Sequence, residues 1–143
     1  MAQSLAKVLV HVIFSTKCRR AFITKGVREE LCAYFVGIHR NLESPAISAG
    51  AVDDHVHILF SLSRNYAIKT IVEEVKKSSS KWIKTKDPAL RTFAWQSGYG
   101  AFSVGQSAVA ATKRYIAGQE EHHRRRTFQD EFRKPESPGV ARG

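Results

Sequence analysis

Residues 7–14 read Lys-Val-Leu-Val-His-Val-Ile-Phe, an apolar run that predicts a strand buried on both faces or nearly so. Thr16 to Thr24 is polar and basic and reads as a loop. From Lys25 to Asn41 the apolar residues Val27, Leu31, Tyr34, Phe35 and Ile38 recur at three- and four-residue steps, the period of an amphipathic helix, and Ser44-Pro45 breaks it. Ala46 to Val52 and Val56 to Leu62 read as two strands, and the short Asp53-Asp54 link between them predicts an antiparallel hairpin. A second helix is predicted over Ala67 to Thr85, with Ile68, Ile71, Val72, Val75 and Trp82 as its apolar stripe and Asp87-Pro88 as its end. Phe93, Trp95 and Tyr99 to Val104 predict a fourth strand, interrupted at Gly98 and Gly100. Gly105 and Ser107 read as a turn and an N-cap for a third helix from Ala108 to His123.

The order β-α-β-β-α-β predicts an α+β fold: a ferredoxin-like four-stranded antiparallel sheet with two helices on one face. The third helix is additional. It has to cover the open sheet face, stand at an edge, or pack on another subunit. At 143 residues and 16.0 kDa the chain is the size of one domain. The expected domain runs from residue 5 to 132. Residues 133–143, with two prolines, two glycines and little that is apolar, read as a frayed tail.

Charge changes the picture most. Lys and Arg number 23 against 13 Asp and Glu, a net charge of +10 and a pI near 10.0. A domain this basic repels itself, and a polyanionic partner, nucleic acid first, is the usual reason. No apolar run approaches the length of a membrane span, and the N-terminus lacks a signal-like core, so a cytoplasmic protein with no membrane partner is expected. Cys18 and Cys32 form no metal-type spacing and are expected as free thiols.

Several groups of residues could carry chemistry. His55 and His57, in Asp53-Asp54-His55-Val56-His57, point to the same side of a strand, with Cα atoms about 6.5–7 Å apart. Two imidazoles so placed can converge on one cation, with the acids orienting them; equally, they are ordinary strand histidines. Tyr115, Gln119 and His122 fall at i, i+4 and i+7 and share a helix face, beside Lys113, Arg114 and Arg124 to Arg126. A tyrosine hydroxyl, with a pKa of about 10, needs help from a metal or nearby cations to act as a nucleophile. Between Arg64 and Lys86 there are seven basic residues and two acidic ones, and Ser78, Ser79 and Ser80 add hydroxyls able to meet phosphate. The aromatic stretch Trp95 to Phe102 reads first as strand core, second as a surface for stacking unpaired bases.

Together these segments resemble the single-tyrosine HUH transposases of the insertion sequence 200/605 type and their REP-associated relatives. His11 to Lys17 is similar to the family's opening strand. Asp54-His55-Val56-His57 is similar to its HUH motif, Trp95 to Val104 to its fourth strand and turn, and Tyr115 to His123 to its catalytic helix. Thr127 to Phe132 resembles the segment that follows.

The resemblance implies that Tyr115 is the nucleophile and that His55, His57 and Gln119 hold a divalent ion, Mg2+ or Mn2+. It implies cleavage and rejoining of single-stranded DNA through a 5′-phosphotyrosine at insertion-sequence ends, with recognition of hairpin DNA. It also implies a homodimer in which one subunit's tyrosine helix can complete the other's site, with Gly105 letting that helix swing. Lys17, Arg19, Arg20, Lys76, Lys77, Lys81, Lys84 and Arg114 are the expected DNA contacts. An imidazole pair suits softer ions than magnesium, so an amide oxygen, waters and a phosphate would complete the shell. After Phe132 the chain departs from the family pattern, as a truncated or frameshifted copy does. A relic that binds hairpins without cutting them is the alternative.

Overall fold

The computed structural model describes residues 5–118. The expectations for Gln119, for the helix up to His123, for Thr127 to Phe132 and for the tail 133–143 lie outside the described residues. Four strands, β1 (Leu9–Ser15), β2 (Ala46–Ala51), β3 (His55–Ser61) and β4 (Gly100–Val104), form one antiparallel sheet in the order β2-β3-β1-β4. Helices α1 (Lys25–Asn41) and α2 (Ile68–Ile83) cover one face and α3 (Val109–Ala117) packs on the other. This is the ferredoxin-like arrangement that the element order predicts.

Period-two alternation decides which residues meet the helices. Val10, Val12 and Phe14 of β1 and Val56, Ile58 and Phe60 of β3 join Leu31 and Phe35 of α1 and Ile71, Val72, Val75 and Ile83 of α2 in one core. The intervening residues, His11, Ile13 and Ser15 on β1 and His55, His57 and Leu59 on β3, turn to the other face and are also buried. Ile83 rather than Trp82 closes the α2 stripe. Trp82 is half-buried and stacks on Tyr34 at 4.8 Å.

The fourth strand is shorter than the aromatic pattern predicts. Phe93 and Trp95 belong to the core, where Trp95 packs against Phe14 and Phe93, each ring at 4.8 Å. A single bridge joins Trp95 to Thr16, and regular pairing starts only at Gly100. Ser79 explains how that indole is tolerated. Trp95 Nε1 donates to its buried hydroxyl at 3.1 Å, and the hydroxyl donates to Val75 O at 2.6 Å. Ser79 is therefore a core residue and not a phosphate contact. Ser107 makes no cap either, because α3 starts at Val109 with Ala108 at its N-cap. Gly105 adopts φ −70°, open to any residue.

Candidate active site

The site is built on the sheet face away from α1 and α2. The β1–β3 register sets Ser15 opposite His55, Ile13 opposite His57 and His11 opposite Leu59. His11 is thus a diagonal neighbour of His57 on the same face. Its Nε2 lies 2.8 Å from His57 Nδ1, a hydrogen bond between two fully buried rings. His55 Nδ1–H donates to Asp54 Oδ1 at 2.8 Å, and Arg19 donates to the other carboxylate oxygen at 3.4 Å. The His55 and His57 rings stand 5.2 Å apart at 63°.

Helix α3 brings Tyr115 to this cluster. Thr112 and Ile116 are its buried residues, and Tyr115, half-buried, sits between them in the helical pattern. The Tyr115 ring lies 5.7 Å from that of His57 and 6.3 Å from that of His11, edge-on to both. The approach depends on Gly50, which pairs with His57 on β2. A Cβ at Gly50 would meet Ile116 O at 2.7 Å and its Cγ2 at 2.9 Å. A glycine inside a strand is a recognised sign of close approach, and here it admits the last turn of α3.

The loop after β1 closes the end of the site. Thr16 N–H donates to Asp54 O at 2.9 Å, its hydroxyl to Arg20 O at 2.7 Å, and Ile23 N–H to Asp53 O at 3.0 Å. Cys18 and Arg19 both take φ 55°, a left-handed conformation costly for residues with a Cβ. The bonds around them hold that strain and aim Arg19 at Asp54. Lys17 and Arg20 are left exposed beside the histidine end of β1. Arg114 is exposed on α3. Lys77 and Lys81 on α2 and Lys84 at its C-cap are exposed too, but across the sheet from the histidines. Lys76 is half-buried, and its ammonium donates to Gln96 O at 2.8 Å and Gly98 O at 2.7 Å. Burial lowers its pKa from the ordinary lysine value.

Of the residues expected from the sequence, His55, His57 and Tyr115 come together, and Gln119 lies outside the described residues. His11 is the addition that sequence reasoning missed as a site residue. The donor set fits a divalent ion in one respect. Both histidines turn Nδ1 to a protein partner, the way ligating histidines are held for binding through Nε2. Among the described residues no group of three His, Cys, Asp or Glu is placed to hold an ion.

Fold and site define a ferredoxin-like α+β protein with a histidine–tyrosine cluster on the sheet face opposite its helical layer. The family described as "Transposase IS200 like" matches residues 4–119, and the chain belongs to that family. No curated protein matches the sequence. Among solved structures, one assigned as a transposase from Deinococcus radiodurans is 21% identical, with a TM-score of 0.64 over 83% of this chain and 98% of that one. A REP-associated tyrosine transposase bound to a REP hairpin is 12% identical, with a TM-score of 0.61 over 86% of this chain and 73% of that one. At these identities the likeness is one of fold.

Proposed function

We propose that the chain is a DNA strand transferase that cuts and rejoins single-stranded DNA at hairpin-bearing ends, with Tyr115 as nucleophile. The observation that carries this reading is the Tyr115 ring set 5.7 Å from His57, above a histidine pair braced by Asp54 and His11. Tyr115 Oη attacks the phosphorus and the P–O3′ bond breaks. The phenolic proton is lost as the 3′ oxygen leaves as a hydroxyl, and the 5′ phosphate stays on the tyrosine. A second 3′-hydroxyl reverses these steps, so the covalent link conserves the bond and no nucleotide cofactor is needed.

His55 and His57, with Gln119, are assigned to hold a Mg2+ or Mn2+ ion. When bound, the ion polarises the scissile phosphate. For His57 to ligate through Nε2, its Nδ1–H must donate to His11 Nε2, so His11 fixes both tautomer and ring orientation. Asp54 does the same for His55, and Arg19 holds Asp54. In this reading the exposed Lys17, Arg20 and Arg114 neutralise phosphates near the reacting group. The hairpin partner is taken from the REP-associated relative, which was solved with one. Pairing of two chains belongs to the same reading, although the Tyr115 ring already meets the histidines of its own chain.

The test is a denaturing gel with labelled single-stranded hairpin DNA and Mn2+, wild type beside Tyr115→Phe. Wild type should form a covalent protein–DNA band and release a 3′-hydroxyl strand, and Tyr115→Phe should form neither. Salt-sensitive binding with no cleavage in any divalent ion would favour the hairpin-binding relic. Cleavage without an adduct would make the protein a metal-dependent nuclease.

A further inference from the structure

β1 and β4 separate beyond Ile13. They pair at Ile13 and Gly100, and the chain before β4 returns to β1 at Trp95 and Thr16. Between these points Phe14 and Ser15 face the longer segment 96–99, which bows outward and bends at Gly98 with φ 90°. Between the two segments lies a half-open cavity of about 360 Å³, lined by Ile13, Phe14, Ser15, Gln96, Ser97 and Tyr99 among others. That volume lies in the range of small-molecule sites, about 300–1,000 Å³.

The cavity is held open by specific bonds. Lys76 ties down the carbonyls of Gln96 and Gly98, Gln96 N–H donates to Ser15 O at 2.9 Å, and Gln96 Oε1 accepts from Cys18 N–H at 3.1 Å. With its oxygen so engaged, the Gln96 amide presents its NH2 as a donor. Two wall residues, Ile13 and Ser15, are the cross-strand partners of His57 and His55, one strand spacing of about 4.8 Å away. Tyr99 is the only aromatic among the large apolar side chains left exposed in the described residues.

We propose that this cavity takes one unpaired nucleobase of the DNA strand, next to the phosphodiester presented to His55 and His57. Tyr99 is its stacking partner, and the Gln96 NH2 and the Ser15 and Ser97 hydroxyls meet its edge. The inference rests on the DNA-processing reading above but needs neither the phosphotyrosine nor the ion. A base in a duplex is stacked on both sides and cannot enter, so the site selects single strands.

The experiment measures binding of the full chain, without divalent ions and at low salt, to dT12 and to a wholly abasic twelve-mer of equal charge. Wild type should bind dT12 about tenfold more tightly, in line with stacking on one aromatic ring. Tyr99→Ala, and Ser97→Leu as an independent change that fills the cavity, should bring the two oligomers to equal affinity, while Tyr99→Phe keeps the difference. Equal affinity in the wild type, or a difference that survives in both Tyr99→Ala and Ser97→Leu, overturns the pocket and leaves the phosphotyrosine reading standing. Binding to neither oligomer also overturns the pocket, and the hairpin gel then decides the phosphotyrosine reading by itself. Base-dependent binding together with no covalent adduct would sink the phosphotyrosine reading alone.

Discussion

The burial of His11 has a consequence at the level of single residues. A ring that is 1% exposed and bonded to His57 cannot be replaced without disturbing the ring it braces. His11→Ala should weaken Mn2+ binding about 10–100-fold, the usual effect of removing a partner that orients a ligating histidine. His11→Gln should recover part of the loss, because its Oε1 can accept from His57 Nδ1–H. Calorimetric or paramagnetic-resonance titration with Mn2+ reads this directly, and thermal melting shows that the variants fold. Unchanged affinity in a folded His11→Ala would remove His11 from the site. His55 and His57 were legible in the sequence because residues two apart on a strand share a face. His11 was not, because it stands 46 positions from His57 and only the sheet register makes them neighbours. Ser79 misled for the related reason that burial depends on what packs above it, and a triplet of serines on a basic helix gives no sign of the indole that one of them satisfies.

Element boundaries were legible where a local rule sets them. Helix α1 runs from Lys25 to Asn41 as its period predicts, and its end shows how it stops. Ser44 N–H donates to His39 O at 3.0 Å and Glu43 N–H to Arg40 O at 3.1 Å, the two bonds of a Schellman motif, with Glu43 at φ 55° where glycine is favoured. Glu43→Gly removes the left-handed strain at some cost in chain entropy and should stabilise the fold by about 0.5–1 kcal/mol, or about 1–4 °C in Tm. The exposed bond from Asn65 to Glu43 that is lost is too weak to reverse the sign. A melting temperature that falls would refute the cap. The end of β4 was not legible, because Trp95 leaves the strand pattern to pack on Phe14 and Phe93. The seat of α3 was not read either, although Gly50 marked it. Gly50→Ala forces the Ile116 carbonyl away, and Ile116→Ala cannot relieve a clash with backbone. Moving Tyr115 by about 1 Å should lower the adduct rate roughly 10–100-fold. A single-turnover time course checks it, and a wild-type rate would mean that α3 does not need this contact to act.

At the scale of the whole molecule the chain carries a net charge of +10, and among the described residues two groups of exposed basic side chains stand on opposite sides of the sheet. Lys17, Arg20 and Arg114 belong to the face and end that carry the histidines, whereas Lys77, Lys81 and Lys84 stand on α2 and its C-cap in the opposite layer. The sequence showed the charge density of α2 but not its side. On the proposed reading, a strand reaching both groups passes round the sheet, with a structured hairpin on one layer and its single-stranded flank entering the other. The two groups should therefore separate by substrate. Each phosphate contact removed from a duplex stem lowers the slope of log affinity against log salt by about 0.9, and each one from a single strand by about 0.7. The triple variant Lys77→Gln, Lys81→Gln, Lys84→Gln should reduce the slope for hairpin DNA by about 2–3 while changing that for dT12 by less than about 1. The pair Lys17→Gln, Arg20→Gln should reduce the slope for both, because a strand entering the site passes that loop whether or not a stem is present. Fluorescence anisotropy of labelled hairpin and dT12 over a salt series, for wild type and both variants, supplies the six slopes. If the α2 triple variant shifts dT12 as much as the hairpin, single strands also run over the helical layer, and the division of labour between the two faces is wrong.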